Sequence, residues 1–394
     1  MLGRRRLSGR SIALLGAQVW ACAQLLGCAQ LLGFDTDYRP SAGDGSGGTS
    51  DGGADAGTGG EAATGGTSSG GSPTVALADY ELPSGKLVFH SFTSASSNDG
   101  RMYVVDFPSG QASAEIGATY DLCNPADGSF GPYGEFMVVT AQPRTDPCPA
   151  ASDTSTNEIY LLDLTAPGVK YVLTENNLVP DVDPVYGANG AFVLFNRGGH
   201  LAEWKDQNPR LTTCPPDAGS YCYDGSAGAQ SKPTLSVDGL TLCYQELDNE
   251  FADIFCVERP TMLTGATFVQ DRRPAATRSH VYDGRPVIIE DYLYFQRWVS
   301  QTNTKKTIAR KRLNALDDAE ERCTFCVDEG ASYRDPTGLG EDYLVLVSDV
   351  RGNGKTDLFI ARYGGSELLP LDHWLPDLNE VDRYEYGASF WRER

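Results

Sequence analysis

Four histidines, His90, His200, His280 and His373, are all that this 394-residue chain offers for imidazole chemistry. No HxxxH or HExxH spacing joins any two of them, so helix-borne zinc arrangements have no support. Carboxylates are plentiful, with 53 Asp and Glu in the chain. Two of them converging in a cleft could act as general acid and base on a glycosidic bond, but such a pair leaves no local spacing to find. Asp349, Asn353 and Asp357 stand at intervals suited to a calcium loop with oxygen ligands. Arg351 occupies a ligand position there and puts a cation where the metal needs an oxygen. The stretch is therefore expected to be a structural turn, and no metal or other cofactor is expected. Gly48-Thr49-Ser50-Asp51-Gly52 formally matches the GxSxG nucleophile elbow, and Gly43 to Gly48 matches GxGxxG. Both motifs work only between a strand and a helix. Neither flank exists here, and composition alone produces both matches.

These side chains depend on the segments that carry them. Arg4, Arg5, Arg6 and Arg10 form a basic leader, followed by an apolar run from Ser11 to Leu26. Its length suits a signal peptide. Gln18 and Gln24 interrupt it, and a spanning helix would need about 20 clean apolar residues. The next stretch, Leu25-Leu26-Gly27-Cys28, resembles a bacterial lipobox, in which cleavage before the Cys leaves it carrying a diacylglyceryl group. Cys22 is a rival position, but Trp20 sits poorly just upstream of a cleavage site. The resemblance implies a signal peptide over 1–27 and lipidation at Cys28. If Cys28 is incidental, the leader is an ordinary secretory signal and the protein is secreted. Ala29, where Asp is associated with inner-membrane retention, leans towards the outer membrane.

From Ser41 to Ser72 the chain is nearly all Gly, Ser, Thr, Ala and Asp, with no large apolar side chain to bury. Residues 28–77 thus read as a lipid anchor and a flexible linker, with a reach of roughly 30 Å for the low-complexity part. Residues 78–394 form the folded head. The net charge of −21 argues against nucleic acid as a partner and leaves the membrane to be reached through the anchor.

The head repeats one phrase. Its clearest copy runs from Ser231-Lys232-Pro233 through the turn Asp238-Gly239 and the alternation Leu240 to Tyr244, then to Asp253-Ile254-Phe255-Cys256-Val257-Glu258. An Asp-Gly turn between apolar alternations marks two antiparallel strands. Six segments align on this pattern, with turn residues Gly85, Gly134, Gly190, Gly239, Glu290 and Gly340. A period near fifty residues belongs to propeller blades, and no long 3.6-residue apolar period competes with it. Asp183-Pro184 and Asp335-Pro336, then Ser-x-Asp-Gly, then an apolar strand, then Asp-Ile/Leu-Phe together closely resemble the TolB-like propeller repeat. The loop from Ser348 to Asp357 is similar to that family's second turn. The resemblance implies an all-β, six-bladed propeller that serves as an interaction platform in the bacterial envelope. The tail from Leu378 to Trp391 resembles the start of one more repeat. It is expected to supply the first strand of a blade completed by Lys86 to Asp106.

Ten Cys are present, and eight lie in the head: Cys123, Cys148, Cys214, Cys222, Cys243, Cys256, Cys323 and Cys326. An even number in an exported chain points to disulfides. Cys243 and Cys256 fall on neighbouring strands of one blade, at bridgeable distance. Cys214 and Cys222 flank a short loop, and Cys123 and Cys148 bracket a blade entry. Cys323-Thr324-Phe325-Cys326 lacks both the βαβ setting of a redox motif and the further ligands of a zinc site, so a small-loop disulfide is expected. Trp204, Trp298, Trp374 and Trp391 could line a sugar-binding face, but packing between blades is the simpler expectation. Together these features point to an envelope lipoprotein whose propeller binds a protein or an envelope polysaccharide. The rival is a glycan-acting hydrolase or lyase using channel carboxylates; no catalytic residue is legible for it.

Overall fold

A computed structural model describes residues 80–393, apart from 95–96, 111, 151–152, 175–178, 188–189, 206–228, 249–250, 259–272, 277–281, 299–304, 327, 329, 341, 353 and 376–381. The leader, Cys28, the linker, Cys214, Cys222, Asn353 and His280 lie outside the described residues.

Six antiparallel sheets form the head. Five have four strands and the third has three among the described residues. The inner strands of blades 2 to 6 are Leu122–Phe130, Asp181–Tyr186, Ala229–Leu235, Asp283–Ile289 and Tyr333–Leu339. Blade 1 takes its inner strand from the C-terminus: Tyr384–Arg392 pairs with Gly85–Phe92, so both ends of the head share one sheet. Arg383 secures this junction by donating to the Ser91 carbonyl and to the Asp99 carboxylate, both at 2.9 Å. The head is a closed six-bladed β-propeller.

Alternation at period two explains why the blades stack as they do. Successive residues of a strand point to opposite faces of its sheet, and here each face meets a different neighbour. Met137 and Val139 pack towards blade 1 with Val88 and Met102, whereas Val138 packs towards blade 3 with Phe195 and Ala202. Leu242 and Tyr244 face blade 3, and Cys243 faces blade 5. Leu344 and Leu346 face blade 5, while Val345 and Val347 face blade 1. Six apolar layers result, one at each junction between blades. The tryptophans serve the same packing. Trp391 donates its indole N–H to the Pro132 carbonyl across the junction of blades 1 and 2, at 3.2 Å. Trp204 and Trp374 pack against the layers between blades 2 and 3 and between blades 6 and 1, whereas Trp298 stacks on Tyr282 within blade 5, at 5.5 Å between ring centres.

Five of the six expected turn residues take up the turn conformation; Gly85 instead opens the strand Gly85–Phe92 and pairs with Phe107 on one side and Arg392 on the other, where the closing strand leaves no room for a Cβ. Gly134, Gly190, Gly239 and Gly340 all have φ between +68° and +73°, and Glu290 adopts φ +50° where the pattern lacks a glycine. Among the described residues, disulfides join Cys123 to Cys148, Cys243 to Cys256 and Cys323 to Cys326. Cys243 and Cys256 are direct cross-strand partners.

Candidate functional site

The inner strands meet at the axis, where one residue of each blade stands at the same level. These hub residues are Asp127, Asp183, Lys232, Arg285, Asp335 and Gly387 in blades 2, 3, 4, 5, 6 and 1. Each of the five charged residues is left-handed, with φ from +46° to +57°, and Gly387 is at +59°. Register shifts of the inner strand accompany them, as at Val182/Val185, Ser231/Thr234, Gly284/Val287 and Arg334/Thr337. A bulge of this kind re-aims a side chain that would otherwise pack between sheets. Four of the five charged residues precede a proline: Asp183, Lys232, Arg285 and Asp335. Proline ordinarily drives its predecessor into extended backbone, and a non-glycine left-handed residue costs on the order of 1–2 kcal/mol. The neighbouring blade holds this conformation in place. Gln245 accepts the Arg285 N–H at 2.9 Å, and Asp183 accepts the Lys232 N–H at 3.2 Å. A second tier lies two residues on: Ser129 accepts the Tyr186 N–H at 3.1 Å, Thr234 accepts the Ile288 N–H at 3.0 Å, and Thr337 donates to the Ala388 carbonyl at 2.6 Å.

These side chains surround a cavity of about 230 Å³. The Lys232 ammonium lies 3.2 Å from Asp127 and also contacts Asp183. The Arg285 Nε lies 2.9 Å from Asp335. Gly387 has no side chain to offer, and His90 of the adjacent strand takes its place. The imidazole lies against Gly387 and is stacked with Tyr386 and Phe92 at 6.0 and 6.2 Å between ring centres. Its Nδ1 is buried and without a hydrogen-bond partner.

Electrostatics separate the members of the ring. Burial lowers His90 from 6.5 to about 4, against the upward pull of Asp127 and Asp335, so the ring is neutral at physiological pH. Burial works to raise Asp127, but the Lys232 ammonium, His90 and Arg285 together outweigh it and hold this carboxyl below its usual range. Burial also raises Asp183, which the same ammonium offsets only in part. For Arg285, burial acts downward, and Asp335, with Asp127, Tyr282 and Asp183 adding to it, more than compensates. Two carboxylates with opposed shifts are the one arrangement in the hub that resembles an acid–base pair. Both, however, are engaged by one lysine.

The residues singled out in the sequence are distributed differently. Asp349 receives the Ser332 N–H at 2.7 Å and an ion pair from Lys305 at 3.0 Å. Arg351, at the position where a calcium loop needs a ligand, lies 3.4 Å from the buried Asp357 and 2.6 Å from Asp372. Among the described residues no group of three or more His, Cys, Asp or Glu is placed to hold a metal. His200 and His373 are remote from the hub elements, on a third strand and in a short helical turn. Sequence reasoning missed the hub ring altogether. Its signal was present: the residue before each repeat proline is charged in blades 3 to 6.

A second feature lies on one face of the disc. In each blade the turns after the first and third strands open on the same side, because the strands alternate in direction. Tyr133 in blade 2 and Val237 and Leu240 in blade 4 occupy such first turns, with Tyr133 77% and Val237 62% exposed. Val169 occupies the third turn of blade 2, next to exposed Tyr171 and Val172 on that blade's edge. Among the described residues, the exposed large apolar side chains all fall within blades 2 to 4 or the segment between them.

No sequence-family profile matches the chain, and no curated protein matches it by sequence. Solved structures do. TolB from Acinetobacter baumannii aligns with a TM-score of 0.52 at 12% identity, covering 78% of this chain and 66% of that one. The fold is that of a TolB-like six-bladed propeller. Hydrazine synthase from Kuenenia stuttgartiensis aligns at 0.59 and 10% identity, over 79% of this chain and 47% of that one. A chain of the nidogen/laminin complex aligns at 0.51 and 10% identity, over 78% of this chain and 98% of that one. At such identities the likeness concerns the TolB-like fold. The hub ring is described from this chain alone.

Proposed function

We propose that this protein is a bacterial envelope lipoprotein, anchored through Cys28, whose propeller is a binding module for a protein or an envelope polymer. The observation that carries this reading is the set of exposed apolar side chains on the turn face of blades 2 and 4, centred on Tyr133, Val237 and Leu240. Large apolar side chains held on rigid turns are the kind that anchor interfaces. No described helix is long and apolar enough to cross a membrane. The glycan-acting alternative draws on the opposed shifts of Asp127 and Asp183. It is weakened by their shared engagement with Lys232, which leaves neither carboxyl free to exchange a proton with a substrate.

Affinity capture from envelope extract tests the proposal, using solubilised full-length protein beside Tyr133→Ala and Val237→Asp/Leu240→Asp variants. A partner retained by the parent and lost by both variants, with unchanged melting curves, is the expected result. Equal retention by all three would remove the turn face from the interaction. Labelled palmitate incorporation that survives Cys28→Ala would remove the anchor.

A further inference from the structure

Five blades have a described fourth strand at the rim, and most of these edges are blunted in the ways that keep a sheet from pairing with foreign chains. Blade 1 ends in Ala112–Glu115, which runs straight into the helical turn Ile116–Tyr120. Arg273–Ala276 of blade 4 contains Pro274, Glu321–Arg322 of blade 5 is two charged residues long, and Leu368–Pro370 of blade 6 ends in proline. Blade 2 differs. Its edge strand, Lys170–Val172, carries no proline, and Tyr171 and Val172 are 54% and 45% exposed. Its one charge is turned aside: the Lys170 ammonium donates to the Tyr120 and Asp121 carbonyls at 2.5 and 2.7 Å.

The pairing of this strand fixes which backbone groups look outward. The Asp163 N–H donates to the Val169 carbonyl at 3.1 Å, and the Leu173 N–H donates to the Ile159 carbonyl at 2.8 Å. In the same register Leu161 stands opposite Tyr171. Hydrogen-bonded positions alternate along an antiparallel pair. Val169, Tyr171 and Leu173 therefore bond inward, and the N–H and C=O groups of Lys170 and Val172 point away from the blade. Tyr171 and Val172 flank that row on opposite faces of the sheet. Backbone donors and acceptors between two apolar side chains are what an added strand needs. The charge left around the row is acidic. Asp121, its side chain 77% exposed, stands beside Lys170. Asp163 lies at the Val169 end, and the Glu135 carbonyl accepts the Leu164 N–H next to it.

We propose that the rim of blade 2 binds an extended peptide segment of a partner protein by strand addition. Apolar side chains of the segment lie against Tyr171 and Val172, and basic residues flank them, facing Asp121, Glu135 and Asp163. A second copy of this chain would bring the same three acids to the junction. The chain's own stretch from Ser41 to Ser72 has no large apolar side chain and adds further acid. The rim is separate from Tyr133, Val237 and Leu240, so the inference holds or fails independently of the turn-face reading.

Fluorescence anisotropy with solubilised full-length protein tests this directly. The probe is an amidated peptide with a central Val-Tyr-Val flanked by a pair of lysines on each side. It should bind saturably. A glutamate-flanked counterpart and a version N-methylated along the central amides should each bind at least about tenfold more weakly. Hydrogen exchange at the Lys170 and Val172 amides should slow when the probe is bound. Val172→Pro removes an outward N–H and nothing from the inward ladder, a change that edge strands tolerate. It should weaken the probe about tenfold or more with an unchanged melting curve. No saturable binding, or equal binding of the N-methylated probe, would overturn the proposal. Concentration-dependent self-association that Val172→Pro abolishes would assign the edge to a second copy and overturn it too. The probe series on the unaltered protein decides the matter even if the variant fails to fold.

Discussion

The His90 imidazole stands where a β-carbon on Gly387 would be: an ideal Cβ there would fall 2.5 Å from Nδ1 and closer still to Cε1. One blade thus gives up its hub side chain so that its second strand can reach the same level. Both residues sit at the closing sheet, where the register shifts between Val88 and His90.

Gly387→Ala should therefore destabilise the propeller. A left-handed alanine costs about 1–2 kcal/mol, and displacing a packed ring adds roughly 1–3 kcal/mol. A loss near 2–5 kcal/mol in urea unfolding is expected. Adding His90→Ala should cost less in this background than in the parent, since the clash has gone. Strict additivity of the two changes would mean that the ring is not what Gly387 accommodates.

Stability should also fall with acid in a defined window. His90 is held near 4 in the folded protein against 6.5 when unfolded. Between those values the unfolded chain binds a proton that the folded chain refuses. The contribution is intact above about pH 6.5 and is lost progressively towards pH 4, by at most about 3 kcal/mol. Asp183, raised by burial, acts in the opposite sense as pH falls towards 3.8, whereas Asp127, held low, loses its contribution only below that value. Arg285, Lys232 and Asp335 also face the ring. Comparing urea midpoints at pH 7.5 and 4.5 for the parent and His90→Gln isolates the imidazole. An unchanged slope in the variant would contradict its assignment.

Lys232→Met should be among the most damaging single changes in the hub. It leaves Asp127 and Asp183 buried without their common cation, and removing one partner of a buried ion pair costs roughly 3–5 kcal/mol. Because protonation relieves the exposed repulsion, the deficit should shrink as pH is lowered from 7 to 5. Converting both acids to Asn in the same chain should restore most of the stability. A deficit under about 1 kcal/mol at neutral pH would show that the ring ions contribute little to holding the blades.

Much of the architecture was legible because it rests on local rules. Turn glycines and period-two alternation are properties of ten-residue stretches, and they repeat. Glu290 was readable as a turn residue from its phase alone, and it carries the left-handed backbone that phase demands. The pairing of the tail with Lys86 to Asp106 followed from its resemblance to the start of another repeat, and Tyr384–Arg392 does lie beside Gly85–Phe92.

The candidate site obeyed no such rule. Asp127, Asp183, Lys232, Arg285 and Asp335 are separated by about fifty residues each, and nothing in any one segment says that its charged residue turns towards an axis. The pre-proline setting of the last four argued for extended backbone, yet bulges and neighbouring side chains turn them left-handed. His90 belongs to a different strand from the other members and enters only because Gly387 is empty. The amino-acid sequence by itself determined how each blade forms and how many there are, since strand pairing and turn chemistry act over short range. Ring closure alone decided which charges meet, because six distant strands become neighbours only when the last one completes the first sheet.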